Sequence, residues 1–139
     1  MKSAIRFPFL QKPGGSGPLD LQPLLPLSLE HGRVSLDVVG LVDSGATISV
    51  LPYDVGVQLG FSWNRLKNSV QIGGALSPNL GKMLYLTARI STLQPVQLAF
   101  AWIKSNSCPV VLGLANFLFH FDVFLSRRHS YFEIQPATP

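Results

Sequence analysis

The chain has 139 residues, the size of one ordinary domain: enough to bury a core, too few for two independent ones. Hydrophobic residues make up 47% of it and charged residues only 13%, with mean hydropathy +0.30, which excludes a disordered or fully solvated chain. The net charge of +4 is shallow and the 11 Lys and Arg are scattered rather than gathered into a stripe, which argues against nucleic acid as a partner.

The single cysteine, Cys108, rules out an internal disulfide framework. With no second thiol or clustered histidines it offers no metal site and reads as a small, half-buried thiol. No apolar stretch reaches the roughly 18 residues that cross a membrane. The start, "MKSAIRFPFLQKPGG", has too short an apolar run for a secretory signal. The expectation is a soluble protein with no membrane partner, and the cytoplasm is the default location.

"SAIRFPFL" reads as an N-terminal strand. "QKPGGSGPLDLQP", residues 11–23, is rich in Gly, Pro and Ser and reads as a loop or linker. The organisation expected is residues 1–20 as strand plus linker and 21–137 as the main domain. "PLLPLSLE", "HG" and "RVSLDVVGLVD" alternate apolar and polar positions around a His-Gly turn, a hairpin pattern that puts Val34, Leu36 and Val38 on one face. "PYDVGVQLG", residues 52–60, reads as a short helix opened by Pro52 and closed by Gly60, with Gly56 weakening it.

"NSVQIGGALSPNLGKMLYLTARI" then reads as strand, glycine-rich tip and strand, and "VQLAFAWI" and "CPVVLG" as further short strands. "LANFLFHF", residues 114–121, carries Leu114, Phe117, Leu118 and Phe121 at helical spacing, a second helix candidate. "DVFLS" and "YFEIQP" are strands on either side of "RRHS", whose Arg127-Arg128 pair reads as an exposed turn. Trp63 and Trp102 read as core or rim aromatics. The fold class expected is mostly β, a closed barrel or folded sheet with one or two short helices.

One segment breaks the pattern. "LVDSGATISVLP", residues 41–52, places Asp43 between two apolar runs. An ionised carboxylate left unpaired in a dry interior costs several kcal/mol, so Asp43 must face a cleft or share its charge. Ser44 can hydrogen-bond locally and Gly45 allows a tight turn, while the flanking apolar residues anchor that turn to the core. Such a frame holds a reactive acid rigidly.

The stretch "LVDSGAT" resembles the active-site loop of the retropepsin-like aspartic proteases. The likeness extends over about residues 20–135: a glycine-containing hairpin, "QIGGALSPNLGKM", lies where that family has its flap, and "VVLGLANFLFHFDV", residues 110–123, has the form of its late glycine and short helix. The chain departs from the family at Leu114-Ala115-Asn116, where many members carry Arg followed by Asp or Asn; the stretch from Gly73 to Gly81 also lacks the aromatic residue that pepsin-like proteins carry in the flap.

The resemblance implies a homodimeric acid-protease fold and an aspartic endopeptidase. Catalysis would fall to Asp43, Ser44 and Gly45, and substrate binding to Ala46, Thr47, Gly73, Gly74, Ala75 and Leu76, with no cofactor and no metal. Val50 and Leu80 are further apolar candidates for the cleft wall. The partners implied are a second copy of the chain and a peptide or protein substrate. The chemistry needs two Asp-Ser-Gly loops, and the chain has one. The rival reading is a retropepsin-like dimerisation or peptide-binding module with weak or no catalysis. His120 and His129 lie far in sequence from any catalytic partner and are not assigned to the site.

Overall fold

The computed structural model describes residues 4–67, 69–71 and 80–139. The predicted hairpin is present as β4 (Leu24–His31) and β5 (Val34–Val42), paired in register with Leu29 opposite Leu36 and Leu27 opposite Val38. Alternation decides which residues turn inward. Leu25, Leu27 and Leu29 are buried, and Leu36 and Val38 pack against the same core from across the hairpin, while Val34, at the turn, is exposed.

Downstream come β6 (Val50–Leu51), helix α1 (Tyr53–Gln58), β7 (Ser69–Gln71), β8 (Leu80–Arg89), β9 (Val96–Ile103) and β10 (Val110–Leu112). Six strands follow one another around a closed barrel in the order β4, β5, β10, β6, β9, β8, with β8 pairing back onto β4; β7 extends the sheet beyond β8. Closure removes the free edges that an open sheet would expose. Leu84, Leu86, Leu98, Phe100 and Trp102 fill the interior.

Helix α1 lies against this barrel through an aromatic cluster. Trp102 is buried with its indole stacked on Tyr53 (centroids 5.5 Å) and its Nε1 donating to the Tyr53 carbonyl at 3.0 Å. Gly56 sits directly against that indole, where a Cβ would come within 2.3 Å of it. The glycine that lowers helix propensity is what lets the helix approach.

The chain ends lie together. Strand β1 (Ile5–Pro8) pairs with β12 (Tyr131–Pro136), which pairs in turn with β11 (Phe121–Ser126), giving a three-stranded antiparallel sheet of order β1-β12-β11. Its inner face carries Phe132 and Ile134 into the main core. Its outer face carries the Arg6–Glu133 ion pair at 2.7 Å, with the Arg6 guanidinium 3.9 Å from the Tyr131 ring centroid. Between β1 and β4 the Gly/Pro-rich stretch forms a short two-stranded ribbon, β2 (Leu10–Gln11) with β3 (Leu21–Gln22). Asp20 organises the turn there, accepting the N–H groups of Ser16 (3.0 Å) and Gly17 (3.4 Å) and facing Lys12 at 3.4 Å. These backbone donors hold its carboxyl below the usual range.

The second helix candidate is a correction. Helix α2 is one turn, Phe117–His120, rather than residues 114–121. The Ala115 carbonyl, which a longer helix would need for its own ladder, accepts the Ser49 N–H from the acid loop, and Phe121 already pairs with Pro136 in β11. Backbone groups engaged in sheet-like pairing on both sides leave only four residues to the helix. No helix among the described residues is long and apolar enough to cross a membrane.

Candidate active site

The barrel's connectivity creates the site. Strand β10 is inserted between β5 and β6, parallel to the first and antiparallel to the second. Residues 43–49, which join β5 to β6, must therefore cross over the chain as it leaves β10. Asp43 is the first residue of that crossing.

Its main chain is held from below, the Asp43 N–H donating to the Leu112 carbonyl at 3.0 Å. The loop then turns on itself. Gly45 N–H donates to Asp43 Oδ1 at 2.8 Å and Ala46 N–H to the Asp43 carbonyl at 3.2 Å. One carboxylate oxygen is thus fixed, and Oδ2 has no hydrogen bond among the described residues. Asp43 is half-buried, whereas Ser44 and Gly45 are exposed. The acid is held at its base and, among the described residues, bonded through one carboxylate oxygen only.

Beneath the loop the packing is backbone on backbone. A Cβ on Gly113 would lie 2.6 Å from the Ala46 carbonyl oxygen and 2.8 Å from that of Ile48, so only glycine fits. The crossing is stitched by Leu114 N–H to the Ala46 carbonyl (2.9 Å), Ala115 N–H to the Thr47 carbonyl (3.1 Å) and Ser49 N–H to the Ala115 carbonyl (2.8 Å). Ala46 and Thr47 thus contribute main chain to the loop's support; Ala46 is half-buried and Thr47 is exposed.

Two residues passed over in the sequence belong to this support. Ser49 is fully buried, and its Oγ accepts the Gly113 N–H at 3.0 Å. Its one legible signal is a lone hydroxyl inside the apolar run "ISVL". Asn116 takes the place of a strand neighbour for β9, its Oδ1 accepting the Ala99 N–H at 2.9 Å and its Nδ2 donating to the Gln97 carbonyl at 3.3 Å. Leu114, where many members of the resembled family carry arginine, is 49% exposed.

Of the other sequence candidates, Gly73, Gly74, Ala75 and Leu76 lie outside the described residues, as does the side chain of Leu80. Val50 is 3% exposed and packs with Ala101, Ile103 and Val111, which leaves little of it for a substrate to touch. Cys108 is half-buried against that same cluster, and burial pushes its thiol up. Among the described residues no group of three or more His, Cys, Asp or Glu side chains comes together in a form that could hold a metal ion.

Beside the acid loop the surface is concave. Val42 and Ser44 line a cavity together with Leu118, Phe121, Asp122, Val123 and Leu125, so apolar side chains share it with one further carboxylate. Leu125 lies on the inner face of β11, opposite Phe132, yet is 48% exposed. Strand β11 pairs with β12 on one side and with no described strand on the other.

No protein-family model matches the sequence, and no curated protein matches it either. Among solved structures the chain is similar to the crystal structure of a retropepsin-like aspartic protease from Rickettsia conorii. The TM-score is 0.67 over 98% of this chain and 94% of that one, at 14% sequence identity. The fold is that of the retropepsin-like aspartic proteases, as the resemblance of the Asp43 loop implies.

Proposed function

We propose that the protein is an aspartic endopeptidase whose active site forms between two copies of the chain. The observation that carries this reading is the Asp43 loop: a half-buried acid held through its main chain and Oδ1, with no hydrogen bond to Oδ2 among the described residues, on a retropepsin-like fold.

One such loop per chain supplies half of the required chemistry. A two-fold axis beside Ser44 would bring the second Asp43 to within a few ångströms of the first. Two carboxylates that close cannot both ionise, so the pair holds one proton and titrates as a unit. The ionised member takes a proton from a water as its oxygen adds to the scissile carbonyl carbon. The protonated member gives its proton to the carbonyl oxygen, leaving a neutral gem-diol. Collapse of the diol breaks the C–N bond as the amine is protonated, and the dyad recovers one shared proton. The cavity beside Ser44, the half-exposed Leu125 and the edge of β11, which pairs with no strand among the described residues, support the pairing, since together they make a surface continuous with the acid loop that a second copy can cover. An extended peptide over the Asp43 loop, with Ala46 and Thr47 beside it, would be the substrate.

Purified protein incubated with a mixed peptide pool between about pH 4 and 7, the window of a shared-proton dyad, tests this directly. Defined fragments from wild type and none from Asp43→Asn are expected. No fragments from protein shown to be dimeric at the assay concentration would leave a peptide-binding module in place of an enzyme.

A further inference from the structure

We propose that Ser49 is a positioning residue for Asp43, acting through a single peptide plane. The Leu112 carbonyl and the Gly113 N–H belong to one peptide unit, which is planar and rigid. Its oxygen accepts the Asp43 N–H at 3.0 Å, and its N–H donates to Ser49 Oγ at 3.0 Å. The buried hydroxyl therefore sets the tilt of the plane from which the acid's main chain hangs.

Three features make the link specific. Ser49 is fully buried and is itself anchored by its main chain, the N–H to the Ala115 carbonyl and the carbonyl to the Ala101 N–H, both at 2.8 Å. The plane has little room to shift, because the main chain at Gly113 runs so close to the Ala46 and Ile48 carbonyls that an added Cβ would come within 2.6 and 2.8 Å of them. A donor that is both buried and confined has no water to turn to when its acceptor is removed. Hydrogen bonds on the two ends of one peptide also polarise each other, so loss of the Ser49 bond weakens the Asp43 bond as well. Two acids that must meet across a two-fold axis tolerate little displacement, since a shift of about 1 Å in a reacting group can cost about a hundredfold in rate.

The catalytic consequence rests on the aspartic-protease reading; the positional link does not, and the test separates them. Amide hydrogen exchange is followed in wild type, Ser49→Ala and Ser49→Cys, alongside kcat and KM on a peptide that wild type cleaves. In Ser49→Ala the Asp43 and Gly113 amides are expected to exchange at least about tenfold faster, while the barrel amides of Leu86 and Leu98 change by less than about twofold. The expected kcat loss is about 10- to 100-fold with KM nearly unchanged. Ser49→Cys, similar in size with a weak acceptor, should fall between. An Asp43 amide as protected in Ser49→Ala as in wild type would overturn the link, and so would an equal rise at Leu86 and Leu98, which marks general loosening. A loosened Asp43 amide with kcat intact would overturn the catalytic role. Wild type that cleaves nothing while showing the expected exchange pattern would sink the protease reading and leave the link standing.

Discussion

A Cβ added to Gly113 would meet the carbonyl oxygen of Ala46 at 2.6 Å, so the chain leaving β10 and the acid loop above it touch main chain to main chain. Neither partner is a flexible side chain that could yield. Gly113→Ala is expected to destabilise the fold by about 1–3 kcal/mol, the usual range for overpacking, and to lower activity further by lifting the loop that carries Asp43. Urea unfolding read beside peptide cleavage checks this; a variant with native stability would contradict the close approach.

Asn116 ties the approach to α2 onto β9 with both ends of its amide. Asn116→Ala leaves the Ala99 N–H without its acceptor and is expected to cost about 1–3 kcal/mol. Asn116→Asp keeps an acceptor for Ala99 and loses the longer contacts of the amide nitrogen, to the Gln97 carbonyl (3.3 Å) and to His120 Nε2 (3.4 Å), so it should cost less. Reversal of that order in denaturant titrations would show that packing, not hydrogen bonding, fixes this segment.

Much of the barrel was legible before the structure because its signals are local. The β4–β5 hairpin announces itself by alternation around a His-Gly turn, and the acid loop by a charge set in an apolar frame. The support beneath the loop was not legible, since Ser49 meets Gly113 across 64 residues and nothing near Ser49 says that its hydroxyl is spoken for. The partner of β1 is equally remote, at the other end of the chain. The length of α2 is hidden for a related reason: its apolar spacing suits a helix of eight residues, but pairing with the acid loop takes the backbone of Leu114 and Ala115, pairing with β12 takes that of Phe121, and Asn116 is the N-cap of what is left.

Leu125 faces the cavity beside Ser44 and is 48% exposed in the single chain. If the second copy covers it, Leu125→Asp buries a charge twice, once in each subunit. Self-association should weaken by at least about tenfold, with the circular dichroism of the chain unchanged and cleavage partly restored at higher protein concentration. Sedimentation velocity decides this; an unchanged association constant would place the interface elsewhere.

The Asp20 turn carries a pH dependence whose sign follows from its depressed carboxyl. Its contribution to order is complete above the ordinary carboxylate value and is lost as pH falls through the lower folded-state value. The amides of Ser16 and Gly17 should therefore stay protected through the mildly acidic range and open only below it. Asp20→Asn should keep them partly open at every pH. Protection in the variant equal to wild type would show that the glycine-rich turn stands without the carboxylate.

On the proposed mechanism each active site needs one Asp43 from each of two chains. Mixing wild type with Asp43→Asn at constant total concentration, and allowing subunits to exchange, tests it most directly. If one acid cannot work alone and the chains associate at random, cleavage falls as the square of the wild-type fraction, to about one quarter of full activity in an equal mixture. A linear fall, to about one half, would mean that each chain acts by itself and that no Asp43 is shared between two copies.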